Sequence, residues 1–413
     1  MLFSILPVEQ IFLIVGVLLA ASVLASQLTN RFGIPSLLIF LVIGMLAGTD
    51  GIGNIEFDHP RLATYIGEAA LTVIIFSGGL DTEWQKIRSV LKSGFGLSTV
   101  GVAISVFLVG TFAWLILGSF SQFKIGGDGI SWGQGLLLGA IISSTDAAAV
   151  FSVLRASPTH LPTKLQGLLE LESGTNDPIA VLLTTSILQV LLAGNFSLGT
   201  FIGRLLLSIG VAIALGYGSG RLMAWSLTHL RLYAQGLYPV FLLALVYETS
   251  GITTLLGGSA VLAVYIAGAV LGNRSFVASD IILSFQDSIT WLAQILMFLT
   301  FGLLVVPAHL PAVAGVGTAI ALFLIFVARP LSVFITLSLS KWEWKEKLFI
   351  SWVGLRGSVP IILSILPLNQ QMNQADELFY VVFYVVLVSI SLQGLTLLPM
   401  AKMLGLLAPS PKV

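Results

Sequence analysis

Apolar residues in this chain run in long blocks and do not alternate with polar ones. Thirteen blocks are long enough to span or nearly span a hydrocarbon core, which takes about 20 helical residues. They cover residues 8–27, 34–48, 62–80, 93–118, 133–154, 164–193, 198–227, 236–250, 253–272, 284–306, 312–340, 346–367 and 376–405. Gly44 and Gly48 are expected to break the second block, and the eighth is short. The connections are short, so residues 1–413 read as one membrane domain with no soluble domain. The predicted fold class is an all-α polytopic membrane protein of about 13 transmembrane helices, with the fifth and twelfth broken.

The informative positions are the polar ones inside the blocks. In E-L-E-S-G-T-N-D, residues 170–177, Glu172, Ser173, Asn176 and Asp177 interrupt an otherwise apolar stretch. A carboxylate at that depth costs roughly 2.5–3.5 kcal/mol or more. Ser173 and Asp177 are four apart and share a helix face; Glu172 and Asn176 share the next. Such a helix must line a protein-buried or water-filled site. The fifth block carries Ser143-Ser144-Thr145-Asp146, whose side chains compete with helical backbone bonding. The twelfth carries Gly354-Leu355-Arg356-Gly357-Ser358-Val359-Pro360, which should also unwind a helix. The two breaks lie about 210 residues apart, and interruptions in corresponding places of two halves point to a transporter binding site. Residues 8–193 and 236–405 read as two six-helix repeats, linked by the span at 198–227. Broken helices meeting head to head would place Asp146 at positive N-terminal ends and Arg356 or another cation at negative C-terminal ends. Freed carbonyls such as that of Thr145 would suit a dehydrated monovalent cation.

Composition sharpens the class. The chain is 56% hydrophobic and only 9% charged, against about 25% charged residues in soluble proteins. It has no cysteine, and its four histidines fall in loops or at helix ends, so disulfides, thiolate metals and a histidine cage are not expected. Intramembrane-protease signatures are absent, so no enzyme is expected. With the N-terminus outside, inner loops hold fourteen Lys and Arg residues and outer loops three, namely Arg61, Lys124 and Arg204. That asymmetry predicts an outside N-terminus and a cytoplasmic C-terminus.

The motifs S-S-T-D-A-A-A-V-F (143–151), E-S-G-T-N-D-P-I-A-V (172–181) and S-W-V-G-L-R-G-S-V-P (351–360) resemble those of NhaP-type monovalent cation:proton antiporters. The likeness is greatest to the potassium/proton branch called cell volume regulation protein A, and it runs in order over nearly the whole chain. The resemblance implies an NhaA-like fold of two inverted repeats with crossing broken helices. It implies a homodimer in the plasma (inner) membrane, with a core domain moving against a dimerisation domain. Asp177 matches the ion- and proton-binding aspartate, and Asn176 the asparagine that replaces a second aspartate of electrogenic relatives. Ser173 and the Thr145 backbone match cation-coordinating positions. Asp146 and Arg356 match residues at the helix crossing, and Glu172 a glutamate paired with an arginine, for which Arg329 is the candidate. The implied partners are a monovalent cation (K⁺ favoured, or Na⁺), the proton and the lipid bilayer, with no cofactor and no nucleic acid.

Two departures stand out. Many relatives have an acidic residue in the third span where this chain has Ser77, and the potassium branch usually carries a cytoplasmic region beyond its last span, whereas this chain stops at Val413. One carboxylate contested by proton and cation predicts electroneutral one-for-one exchange. A channel-like potassium efflux protein is the alternative; it would pass current without proton coupling.

Overall fold

Inside a bilayer a backbone must satisfy its own hydrogen bonds, and blocks this apolar can do so only as helices. The computed structural model describes residues 7–32, 35–119, 125, 128–155, 159–193 and 198–409. Among these, nine helices are long and apolar enough to cross a membrane, and four shorter helices are also apolar. In chain order the helices are α1 (Val8–Phe32), α2 (Ser36–Ala47), α3 (Pro60–Leu80), α4 (Leu91–Leu117), α5 (Trp132–Ile141), α6 (Ala147–Arg155), α7 (Thr163–Ala193) and α8 (Leu198–His229). There follow α9 (Leu237–Leu255), α10 (Ala260–Gly272), α11 (Ser279–Leu304), α12 (Pro307–Thr336), α13 (Trp344–Trp352), α14 (Ser358–Asn369) and α15 (Ala375–Met403). A two-residue antiparallel pairing joins Thr159–His160 to Ala408–Pro409. Lys124 and Lys412, counted above among the loop charges, lie outside the described residues.

The chain divides into two compact units. The first holds residues 1–67, 100–162 and 295–413, the second 68–99 and 163–294. Each of the expected repeats, residues 8–193 and 236–405, contributes to both units.

In the first unit, helices approach through small residues, the usual device where lipid removes any hydrophobic drive for association. A Cβ on Gly44 would strike the backbone of Leu299 and Gly302, and one on Gly139 the carbonyl of Val106. Gly44 therefore does not break α2, as its sequence suggested; it is the point where α2 meets α11. A Cβ on Gly317 would meet the Tyr384 ring, which packs α12 on α15. Three helices contain π-turns, at Leu97–Gly101, Leu324–Ala328 and Ile390–Gly394. The second directly precedes Pro330, which has no N–H to give the carbonyl four residues back.

The second unit is built around one apolar cluster that includes Phe76, Met223, Leu227, Tyr238, Leu242, Val264, Leu271 and Ile282. Gly216 and Gly220 of α8 face Ala263 and Ala267 of α10, so these helices run parallel in register. The turn after α9 falls at Gly257–Gly258, later than the expected gap at 250–253. Gly257 has φ of 76°, a left-handed conformation that glycine enters without steric cost.

Candidate functional site

Both broken helices lie in the first unit. At the first break α5 stops at Ile141 and α6 starts at Ala147. The loss of helix has local causes. Ser143 turns its hydroxyl back onto the Ala140 carbonyl at 2.7 Å. The Asp146 carboxylate accepts the Ala149 N–H at 2.9 Å, capping α6. Arg356 Nη1 donates to the carbonyls of both Ser143 and Ser144 at 2.6 Å. Thr145 lies buried in the same unwound stretch.

At the second break α13 stops at Trp352 and α14 starts at Ser358. The two breaks touch through main chain: Asp146 N–H donates to the Leu355 carbonyl at 2.8 Å. A side chain at Gly357 would overlap the Asp146 carboxylate. That carboxylate therefore sits at the N-termini of both α6 and α14, where the dipoles favour negative charge. The C-terminal ends receive guanidinium groups. Arg356 covers the end of α5. Arg329 Nη2 donates to the Ile350 carbonyl of α13 at 3.3 Å, and its stem crosses Gly354, where a Cβ would come within 2.8 Å of Nε.

Two polar residues of the last apolar block, Ser389 and Gln393, support the second break. Gln393 Nε2 donates to the Trp352 carbonyl at 2.7 Å, and Ser389 Oγ accepts the Arg356 N–H at 3.0 Å. Ser389 Oγ in turn donates to Gln393 Oε1 at 2.6 Å. The π-turn Ile390–Gly394 begins directly after Ser389 and contains Gln393, so it helps set their spacing on α15. A buried serine–glutamine pair four residues apart was the available signal.

The remaining site residues belong to α7 in the second unit. Its apolar half is interrupted at the expected positions: Glu172 is 1% exposed, Asn176 0% and Asp177 5%. Ser173 is half-buried. Pro178 follows Asp177 inside the helix, so the Gly174 carbonyl lacks its usual helical donor. Gly174 also packs on the Tyr265 ring, which leaves no room for a Cβ. Ser77 is half-buried in α3 and belongs to the same unit. Thus Thr145, Asp146, Arg329 and Arg356 belong to one unit, and Glu172, Ser173, Asn176 and Asp177 to the other.

This arrangement accompanies clear similarity to known proteins. The family model described as "Sodium/hydrogen exchanger, transmembrane" matches residues 15–403. The K⁺/H⁺ antiporter NhaP of Alkalimonas amylolytica is 40% identical over 96% of this chain and 67% of its own. The K⁺/H⁺ antiporter NhaP2 of Shewanella oneidensis is 39% identical over 98% and 69%. The Na⁺/H⁺ antiporter 1 of Methanocaldococcus jannaschii is 28% identical over 88% and 84%. The solved structure of the sodium proton antiporter MjNhaP1 from that organism covers 93% of this chain and 99% of its own, with a TM-score of 0.76 at 24% identity, which establishes a shared fold. The chain is an integral membrane protein and belongs to the sodium/hydrogen exchanger family.

Proposed function

We propose that the chain is an electroneutral antiporter that exchanges one monovalent cation, K⁺ in preference to Na⁺, for one proton, with Asp177 as the shared site. The observation that carries the reading is Asp177 itself: a carboxylate 5% exposed in mid-helix, next to a proline and beside a fully buried asparagine. Burial disfavours its charged form unless a cation or proton neutralises it, so the two ligands compete for the same oxygens. Ser173 and the Thr145 carbonyl are the further cation ligands in this scheme. The formal charges of Asp146, Glu172, Arg329 and Arg356 sum to zero in this scheme. The protonated and cation-loaded forms therefore carry the same net charge, and exchange moves none across the membrane.

The preference for K⁺ rests on the potassium antiporters at 39–40% identity, against 28% for the sodium antiporter. Ser77, which removes one hard acidic ligand, supports the same preference. Two six-helix repeats, a homodimer, an outside N-terminus and a plasma-membrane location complete the reading. The loop charges support the orientation, and the family likeness supports the dimer and the location. No cofactor and no bond chemistry enter the scheme.

The test is proton flux in proteoliposomes driven by K⁺, Na⁺, Li⁺ or choline gradients, with the membrane potential clamped and free. K⁺-driven flux that ignores potential and vanishes in Asp177→Asn is the expected result. A larger flux with Na⁺ would reassign the ion, and a current without proton movement would make the protein a channel.

A further inference from the structure

The second unit carries a basic groove that the transport scheme does not use. Tyr217, Arg221, Trp225 and His229 succeed each other every fourth residue along the last turns of α8, forming one stripe. Arg221 Nη1 donates to the Tyr217 hydroxyl at 3.0 Å, and the guanidinium carbon lies 5.6 Å from that ring's centroid. The Trp225 and His229 rings stack at 5.2 Å. Because α8 and α10 run parallel, both end on the same side, and Arg274 and Ser275 follow α10 directly into this space. The result is a groove of ≈ 700 Å³ lined by Arg221, Trp225, Thr228, His229, Arg274 and Ser275. Neither Arg221 nor Arg274 has an ion-pair partner among the described residues. The C-terminal dipoles of two helices oppose an anion here, but each amounts to only about half a charge, and two guanidinium groups outweigh them.

We propose that this groove binds the phosphodiester headgroup of an anionic phospholipid, with Arg221 and Arg274 as the anion's ligands. Guanidinium groups match phosphate oxygens bidentately, and the Thr228 and Ser275 hydroxyls offer further donors. Apolar continuity argues for a lipid over a free phosphate. Leu222, 52% exposed, borders both this groove and a narrow cleft between α8 and α9 that Leu215, Met223, Leu245 and Ile252 line, with Ser219, Glu248 and Thr249 also on its wall. An acyl chain can follow that cleft away from its headgroup. Trp225, 56% exposed at the helix end, sits where indole rings anchor at the headgroup level. Basic pockets between transmembrane helices are the known form of such sites.

The experiment uses the delipidated full chain in detergent. Phosphatidylglycerol, phosphatidylcholine of the same acyl chains and inorganic phosphate are titrated separately, and bound lipid is counted by native mass spectrometry alongside the melting midpoint. Phosphatidylglycerol should bind and raise the midpoint, phosphatidylcholine should do so weakly, and inorganic phosphate should not compete. Arg221→Gln and Arg274→Gln should each weaken phosphatidylglycerol about fivefold, and the double variant should lose both increments. The Arg221→Lys/Arg274→Lys variant should retain most binding, which separates charge from fold. Arg204→Gln, at the other end of α8, should bind as wild type. Undiminished phosphatidylglycerol binding in the double glutamine variant would overturn the proposal. So would equal binding of phosphatidylcholine, or displacement by equimolar inorganic phosphate, which would mark a site for free anions.

Discussion

The two helix breaks pose one problem and solve it differently. Each leaves a half-helix ending in mid-membrane with carbonyls that need donors. The first break, at residues 142–146, is polar and supplies its own caps, through the Ser143 hydroxyl and the Asp146 carboxylate. The second, at residues 353–357, is mostly apolar and brings in its partners: Gln393 and Ser389 from α15, and Arg329 from α12. What it contributes is space. Gly354 makes room for the Arg329 stem, and Gly357 makes room for the Asp146 carboxylate. The dependence between them is unequal. Two carbonyls of the first break rely on Arg356, whereas one carbonyl of the second relies on a backbone N–H of the first. A break of polar residues can be capped locally; a break of glycines has to be capped by its neighbours.

That contrast can be broken most severely at Arg356. Arg356→Met takes the guanidinium donor from the buried Ser143 and Ser144 carbonyls, and about 3–5 kcal/mol should be lost. Size-exclusion melting in detergent would register this as failed folding or a collapsed midpoint. Gly357→Ala drives a methyl into the Asp146 carboxylate, and about 1–3 kcal/mol is expected from the overlap. An unchanged midpoint would mean that the carboxylate is free to move aside. Gln393→Leu removes the donor to Trp352 and the acceptor from Ser389. It should cost about 1–3 kcal/mol, and it should reduce hydrogen-exchange protection at α13 more than at α5. Asp146→Asn keeps a good capping side chain and loses only charge, about 0.3–1 kcal/mol at each of two helix termini. If melting barely shifts while cation affinity collapses, Asp146 is a ligand and not a dipole partner. The smallest effect belongs to Gly354→Ala, below about 1 kcal/mol, because the flexible end of Arg329 can yield.

Much of this was legible in the sequence. S-S-T-D and G-L-R-G-S-V-P announce unwinding, because side-chain competition, glycine and proline act locally. Glu172, Asn176 and Asp177 announce burial, because a helix so marked cannot face lipid. The apolar blocks fall on helices or broken pairs of helices, although the gap expected at 250–253 lies inside α9. Other features were hidden, because they depend on residues far apart in the chain. The tasks of Gln393 and Ser389 exist only once α15 packs beside the second break, and the position of Arg329 against α13 requires the fold of α12. Gly44 and Gly257 show the ambiguity of a single residue type. The first, expected to break a block, is a contact between helices, and the second is a turn.

The π-turn at Ile390–Gly394 also bears on which genetic changes the protein can survive. It is a single surplus residue held within a continuous helix. Removing one codon there would restore an ordinary α-helix of good propensity and apolar composition. The flanking helix would keep nearly the same facing, because the wider turn already absorbs the extra residue, but loss of any of residues 390–392 would bring Ser389 and Gln393 from four residues apart to three. The reading frame, the hydropathy profile and the helix would all survive that deletion, and the spacing that supports the second break would not.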